Sequence, residues 1–198
     1  MVQYKMRVLV IWHAAVVPEY RERFRAICRA QPNLDLHVIA PQKSFEGGQW
    51  IEGVVDPRDP FELHILPSVW TTHPNALLYK KRLRVLQNFN PDVVHLHEEA
   101  WTLGALQAIW AFHTRVPIVL ETWENLVRRP KTPFQYVEPL VMRRVTRFIA
   151  GTPAVRDVAE ERRQGAHRRY SLWNDHARRD YDEGHASSTQ NRVCRTPC

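Results

Sequence analysis

The sequence predicts an α/β fold: a single Rossmann-like, doubly wound parallel sheet with helices on both faces. Two observations predict it. Short apolar runs alternate with segments of helical period along the chain. The first run, Arg7–Val8–Leu9–Val10–Ile11–Trp12, is nearly continuous in its apolarity, as a strand covered on both faces must be. With 198 residues, 44 % of them hydrophobic, the chain has enough material for one core but not for two full domains.

The elements follow in order. After the first strand, Pro18 suits the first turn of a helix, and Tyr20, Phe24, Ile27 and Cys28 recur at helical spacing up to about Ala30. Pro32 and Asn33 end it, and Leu34 to Ala40 alternates as a second strand. Pro41 to Pro60 holds Gly47, Gly48, Gly53 and Pro57 and reads as a long loop with room for a short hairpin. Phe61 to Leu66 is a third strand, Asn75 to Phe89 a helix, Val93 to His97 a fourth strand, Leu103 to Phe112 an apolar helix and Pro117 to Glu121 a fifth strand. Pro133 to Val145 is expected to be helical despite Pro139. Phe148 to Ala150 is a short sixth strand. Thr152–Pro153 then resembles an N-cap with proline at the first helical position, opening a helix to about Arg163.

Beyond that point the pattern changes. Gln164 to Cys198 is rich in Arg, His, Asp and Ser and has almost no Ile, Leu or Val. Such a segment buries too little apolar surface to offset its ordering entropy. The expected organisation is therefore a folded domain over 1–163 and a disordered basic tail over 164–198. Arg162 marks the start of the polar stretch.

Composition narrows the function. No run of about 18 apolar residues occurs, so no transmembrane helix is expected. The apolar run Val8 to Trp12 is too short for a signal-peptide core, which points to the cytoplasm. Cys28, Cys194 and Cys198 are too few for a disulfide scaffold, and Cys28 is most simply a small core residue. The net charge is +7, but residues 162–198 hold eight arginines against four acids. The folded part is then only mildly basic, which speaks against a nucleic-acid partner.

In open α/β sheets, ligands sit beyond the carboxyl ends of the strands. That rule selects His13 after the first strand, and His97, Glu98 and Glu99 at the end of the fourth. It also selects Glu121, Thr122, Trp123, Glu124 and Asn125 at the fifth, and Gly151 and Thr152 after the sixth. His95 and His97 are two apart on a strand and so share a face. His95, the deeper, reads as a buried, hydrogen-bonded histidine. For His97 two readings stand: a polar strand terminus, or a group that exchanges a hydrogen bond or proton with a ligand hydroxyl. A metal site from His95, His97 and Glu99 would lack a fourth ligand. Cys194 and Cys198 with His185 make only a weak zinc half-site. Neither a dinucleotide fingerprint nor a P-loop follows the first strand, which runs instead into His13–Ala14–Ala15–Val16–Val17–Pro18. Lys80, Lys81, Arg82 and Arg84 form a basic cluster: a solvated helix face, or a patch for an anionic membrane surface.

Three segments carry a family resemblance. Met6 to Ile11 resembles the opening strand of family 4 GT-B glycosyltransferases. Pro91–Asp92–Val93–Val94–His95–Leu96–His97–Glu98 resembles their Pro-Asp-hydrophobic-hydrophobic-His-x-His segment, and Phe148 to Val155 their later strand and turn. The similarity spans about residues 6–161. It implies an enzyme of two Rossmann-like domains, the first binding a carbohydrate or lipid-linked acceptor and the second a nucleotide-sugar. Transfer would retain the anomeric configuration without a bound metal or other bound cofactor. His97 matches the family's cleft histidine, with His13, Glu98 and Glu124 expected on the acceptor side. The basic cluster matches a helix on which some members dock to the inner face of a membrane. The His13–Pro18 loop lacks the paired glycines many members carry, and no donor-domain sequence follows. The chain is thus expected to be truncated or frameshifted near Ala159 to Gln164, and catalytically incomplete on its own. Two alternatives remain: a non-catalytic module that binds glycan or pairs with another subunit, and a metal-dependent hydrolase.

Overall fold

A computed structural model describes residues 5–80, 83, 89–112, 116–126 and 131–166. The strands are β1 (Met6–Ile11), β2 (Leu34–Pro41), β3 (Lys43–Glu46), β4 (Gln49–Glu52), β5 (Glu62–Leu66), β6 (Ser68–Val69), β7 (Leu78–Tyr79), β8 (Val93–Leu96), β9 (Ile118–Thr122) and β10 (Arg147–Ala150). The helices are α1 (Glu22–Ala30), α2 (Leu103–Ala111), α3 (Phe134–Arg144) and α4 (153–166). Six strands form one sheet in the order β10-β9-β8-β1-β2-β5, with every pairing parallel. The expected Rossmann-like sheet is what the chain adopts. The chain winds outward from β1 through β2 and β5, then crosses to β8, β9 and β10 on the other side. The switch lies between β1 and β8, the point at which folds of this class place their ligands, at the carboxyl edge.

Each face of the sheet carries its own core. On one, Leu9, Ile11, Ile39, Val94, Leu96, Ile118 and Leu120 pack under α2 and α3. On the other, Val10, Trp12, Leu36, Val38 and Leu63 pack under Phe24 of α1 and the 3-10 turn His13–Val16. Alternate residues of one strand thus serve both cores, which is why β1 is apolar from Val8 to Ile11 and β2 from Val38 to Pro41.

The first helix turns a different face inward from the one its apolar spacing predicts. Phe24 is buried, but Tyr20 is 50 % and Ile27 41 % exposed, and Cys28 is only half-buried. Arg21 and Arg25 point inward instead. Arg21 lies 3.0 Å from Asp59 and donates to the Val54 carbonyl at 2.9 Å. Arg25 pairs with Asp59 at 2.7 Å and Asp56 at 3.2 Å. Charges survive burial only when partnered, and the acids of the 54–60 segment are the partners. Apolar periodicity cannot detect such an ion cluster.

Within the expected loop 41–60, β3 and β4 form an antiparallel hairpin across Gly47–Gly48. Both glycines have positive φ, +59° and +85°, as a two-residue hairpin turn that follows strand twist requires. The helix expected from Asn75 does not start there. Pro74–Ala76 is a single 3-10 turn, and Leu78–Tyr79 pairs with Ser68–Val69 as a small ribbon. Leu77 and Tyr79 sink into the core from this ribbon. Thr102 caps α2 by accepting from the Ala105 N–H at 3.1 Å, and Thr152 caps α4 by accepting from Val155 at 3.3 Å.

Helix α4 continues to residue 166, past the predicted end near Arg163, and Ala166 is buried. Arg162, read from the sequence as the onset of a solvated tail, is buried against α3. Its guanidinium donates to Glu138 at 2.5 Å and lies 4.6 Å over the Trp101 ring. The remaining tail, with His185, Cys194 and Cys198, lies outside the described residues, as do Lys81, Arg82 and Arg84 of the basic cluster. Among the described residues, no helix is long and apolar enough to cross a membrane.

Candidate functional site

The registers place the two switch-point strands level. Ile11 of β1 pairs with Leu96 of β8, and the His97 N–H donates to the Ile11 carbonyl at 3.0 Å. Trp12–His13 and His97–Glu98 therefore leave the sheet side by side. Val10 pairs with His95, so His95 and His97 share the face that α1 covers.

Glu98 and His13 form the first pair. Glu98, 5 % exposed, accepts from the His13 backbone N–H at 2.9 Å and from its Nδ1 at 2.8 Å. Burial alone would lower the imidazole pKa. The charge and hydrogen bond of Glu98, helped by Glu46 at 3.7 Å from Nε2, outweigh it and raise His13 to about 9. Nε2 faces Glu46, and the side chain as a whole is 19 % exposed. The Tyr79 hydroxyl is buried nearby and has no hydrogen-bond partner among the described residues. Burial and the Glu98 charge push its pKa up.

His97 sits in the opposite surroundings. Its ring stacks on Trp12 at 4.1 Å between centroids and 9° between planes, and it is 6 % exposed. The indole Nε1–H of Trp123 donates to Nε2 at 2.8 Å. An indole nitrogen can only donate, so Nε2 is the bare nitrogen and the ring proton sits on Nδ1. That proton faces Glu121 Oε2 at 3.8 Å. The 3.2 Å approach of the Arg23 guanidinium to Nδ1 is then a packing contact between two donors, not a hydrogen bond. Burial is the main cause that lowers His97 to about 3; Glu121 opposes it, while Arg23, His95 and His13 add to it.

Glu121 anchors the group from β9. Arg23 reaches down from α1 and donates to both its oxygens at 2.9 and 2.8 Å, and His95 Nε2 lies 2.9 Å away. Burial would raise this carboxyl; the close approach of the His95 ring nitrogen and the hydrogen bonds from Arg23 outweigh it and hold it at about 2. His95, which the sequence suggests is buried and hydrogen-bonded, is half-buried, and its Nε2 stands 2.9 Å from Glu121 without making a hydrogen bond.

His13, Glu98 and His97 come together at one edge, as their positions predict. Glu124 does not join them: its carboxylate accepts from the Leu126 N–H at 3.0 Å and closes its own loop. Nor does Glu99 turn toward His95 and His97. It accepts from the Thr122 hydroxyl at 2.6 Å and the Trp123 N–H at 3.0 Å, so the three residues of the metal reading do not converge. Trp123, 57 % exposed, lies over Gly151, where an added Cβ would meet its ring at 2.9 Å. Gly151 therefore makes room for the indole that reaches His97.

Trp12 and Arg23 were not singled out from the sequence. Trp12 reads as the last apolar residue of a strand. Arg23 reads as one of three alternating arginines, and nothing in the spacing separates it from Arg21 and Arg25.

The family model described as the glycosyl transferase 4-like domain matches residues 19–172. The chain belongs to this family. The match covers α1, with Arg23, through α4, and so takes in every residue of the site except Trp12 and His13. No curated protein matches the chain. The glycosyl transferase 4-like domain thus brings two histidines to the carboxyl edge of its sheet, one ion-paired and one sealed between indoles.

Proposed function

We propose that this domain is the acceptor-side half of a GT-B glycosyltransferase. It would take its sugar from a nucleotide-sugar and transfer it, with retention of anomeric configuration, to a carbohydrate or lipid-linked acceptor. The observation that carries the reading is the placement of His97, with the His13–Glu98 pair, at the switch-point edge of this family's sheet. Sugar hydroxyls both donate and accept. The protonated His13 offers a donor at Nε2, and His97 Nε2 is an acceptor once the Trp123 indole gives way. His97 is the group that would face the reacting hydroxyl. Arg23, Glu121 and Trp12 position it.

Alone, the chain would turn over little. A leaving diphosphate needs preorganised positive charge. Among the described residues at this edge, Arg23 is committed to Glu121 and His13 to Glu98. That charge belongs, on this reading, to a second, donor-binding domain. A screen of nucleotide-sugars and acceptor glycans on the purified chain tests the proposal. The expected result is acceptor-induced shifts of the Trp123 indole and His97 resonances with negligible donor hydrolysis. Clear turnover by the chain alone overturns the claim of inactivity. Binding of nucleotide-sugar but of no acceptor overturns the acceptor-side assignment. Acceptor binding that never leads to transfer, even with a donor domain supplied, makes the chain a glycan-binding module.

For the basic cluster the proposal is docking on the anionic face of a membrane, at roughly 1 kcal/mol per basic residue. The exposed Lys80 at its start supports this. Co-sedimentation with vesicles containing phosphatidylserine, lost on neutralising Lys80, Lys81, Arg82 and Arg84, is the expected outcome. Equal binding to neutral vesicles contradicts it.

A further inference from the structure

On the sheet face away from α1, at its β5 edge, lies a second polar cluster that the acceptor-side reading does not use. His37 of β2 pairs with Glu62 of β5, and Ile39 with His64. Residues paired across parallel strands, and those two apart along one, share a face. Asp35, His37, Glu62 and His64 therefore all stand on the same side. The two imidazoles meet nitrogen to nitrogen, His37 Nδ1 to His64 Nε2 at 2.8 Å. Glu62 hangs beside them, one oxygen 3.6 Å from His64 Nε2 and the other 3.5 Å from His37 Nε2. Asp35 lies 3.7 Å from His37 Nε2. One ligand atom from each of His37, Glu62 and His64 lies within 4.8 Å of the others.

Core packing does not call for this arrangement. In the middle of the sheet this face is Leu, Ile and Val, as at Leu9, Ile39 and Leu96. Here two half-buried histidines face each other across β2 and the edge strand β5 with two more exposed carboxylates around them, the side chains being 15 % and 18 % exposed against 42 % and 63 %. The His37 ring is also held in place: Phe89 stacks on it at 3.7 Å and 20°.

We propose that His37, His64 and Glu62 bind a divalent transition metal of the zinc class. Imidazole nitrogen with one carboxylate is a donor set suited to such ions, and three protein ligands leave a position for water. Metal–nitrogen bonds near 2.0–2.1 Å at a tetrahedral angle set two nitrogens about 3.3 Å apart. The imidazoles need separate by only about half an ångström from their present contact. With His37 bound through Nδ1, its Nε2–H lies between Asp35 at 3.7 Å and the second Glu62 oxygen at 3.5 Å, and such carboxylates commonly fix the orientation of metal-bound histidines. Such an ion would clip the edge strand β5 to β2, well away from His97.

Cobalt(II) titration of the full chain tests this. Expected is one equivalent of Co(II) with the visible absorption of a four-coordinate site, displaced by Zn(II). His64→Gln and Glu62→Gln should weaken binding at least about tenfold. Glu62 is exposed enough that its variant folds whatever becomes of His64→Gln, as far-ultraviolet circular dichroism will show. Cys194→Ser with Cys198→Ser, and separately His97→Gln, should leave binding unchanged. Absence of a four-coordinate spectrum overturns the proposal. So does binding that survives both β5 variants or disappears in the cysteine or His97 variants. None of these outcomes bears on the acceptor-side reading.

Discussion

His13 and His97 leave adjacent strands at the same edge of one sheet and end in opposite states. His13 has a buried carboxylate within hydrogen-bond reach and is raised to about 9. His97 has an indole stacked beneath it and another donating to its Nε2, with Glu121 no closer than 3.8 Å, and is lowered to about 3. Both are largely buried. What separates them is the partner: a carboxylate in direct contact overrides desolvation, and one just out of reach does not. Near neutral pH the edge therefore presents a fixed cation beside a neutral imidazole, a donor and a latent acceptor in adjacent places.

The largest expected effect comes from removing the ring under His97. Trp12→Ala should cost about 4 kcal/mol in urea denaturation, as for other buried tryptophans. It should also let the His97 pKa rise toward its ordinary value while leaving His13 high. Next is Glu98→Ala, which breaks a buried pair and should cost about 3 kcal/mol near pH 6. Its sign with pH is specific. A raised pKa stabilises fully below about 6.5 and loses that contribution as pH rises to about 9. The difference between wild type and Glu98→Ala should shrink across that window in denaturation curves at successive pH values.

His97→Phe keeps the stack on Trp12 and loses the bond from Trp123, for about 1 kcal/mol at neutral pH. Wild-type stability should fall as pH drops from about 6.5 toward about 3, because there only the unfolded chain takes up the His97 proton. In His97→Phe that part of the acid limb should flatten. What remains includes Glu121, whose contribution is present above about 4.5 and lost toward about 2. Smallest is Gly151→Ala. The atoms it meets are the far edge of an exposed indole, so stability should change by less than about 1 kcal/mol. The Trp123 fluorescence and the His97 Nε2 environment should nonetheless shift.

Much of this was legible in the sequence. The parallel sheet and its carboxyl-edge residues follow from apolar runs and strand order, and these alone put His13, His97 and Glu98 at one edge. The rest depended on which partner a polar residue meets. Arg162 stands at the start of a polar stretch and is buried because Glu138 comes to it from a distant segment, as Asp59 and Asp56 come to Arg21 and Arg25, which apolar spacing does not single out. Glu124 looked like a cleft residue and turned to its own loop. The 75–80 segment has helical spacing, but its pairing with Ser68–Val69 wins. His37 and His64 are 27 positions apart, and only the β2–β5 register makes them neighbours.

The most direct test is a nitrogen-15 titration of the histidine rings from pH 4 to 10 in the intact chain. The expected result is a His13 signal that stays imidazolium until about pH 9. His97 should stay neutral throughout, with its proton on Nδ1. Both rings titrating together near their ordinary value of about 6.5 would contradict the paired-and-sealed arrangement on which the site is built.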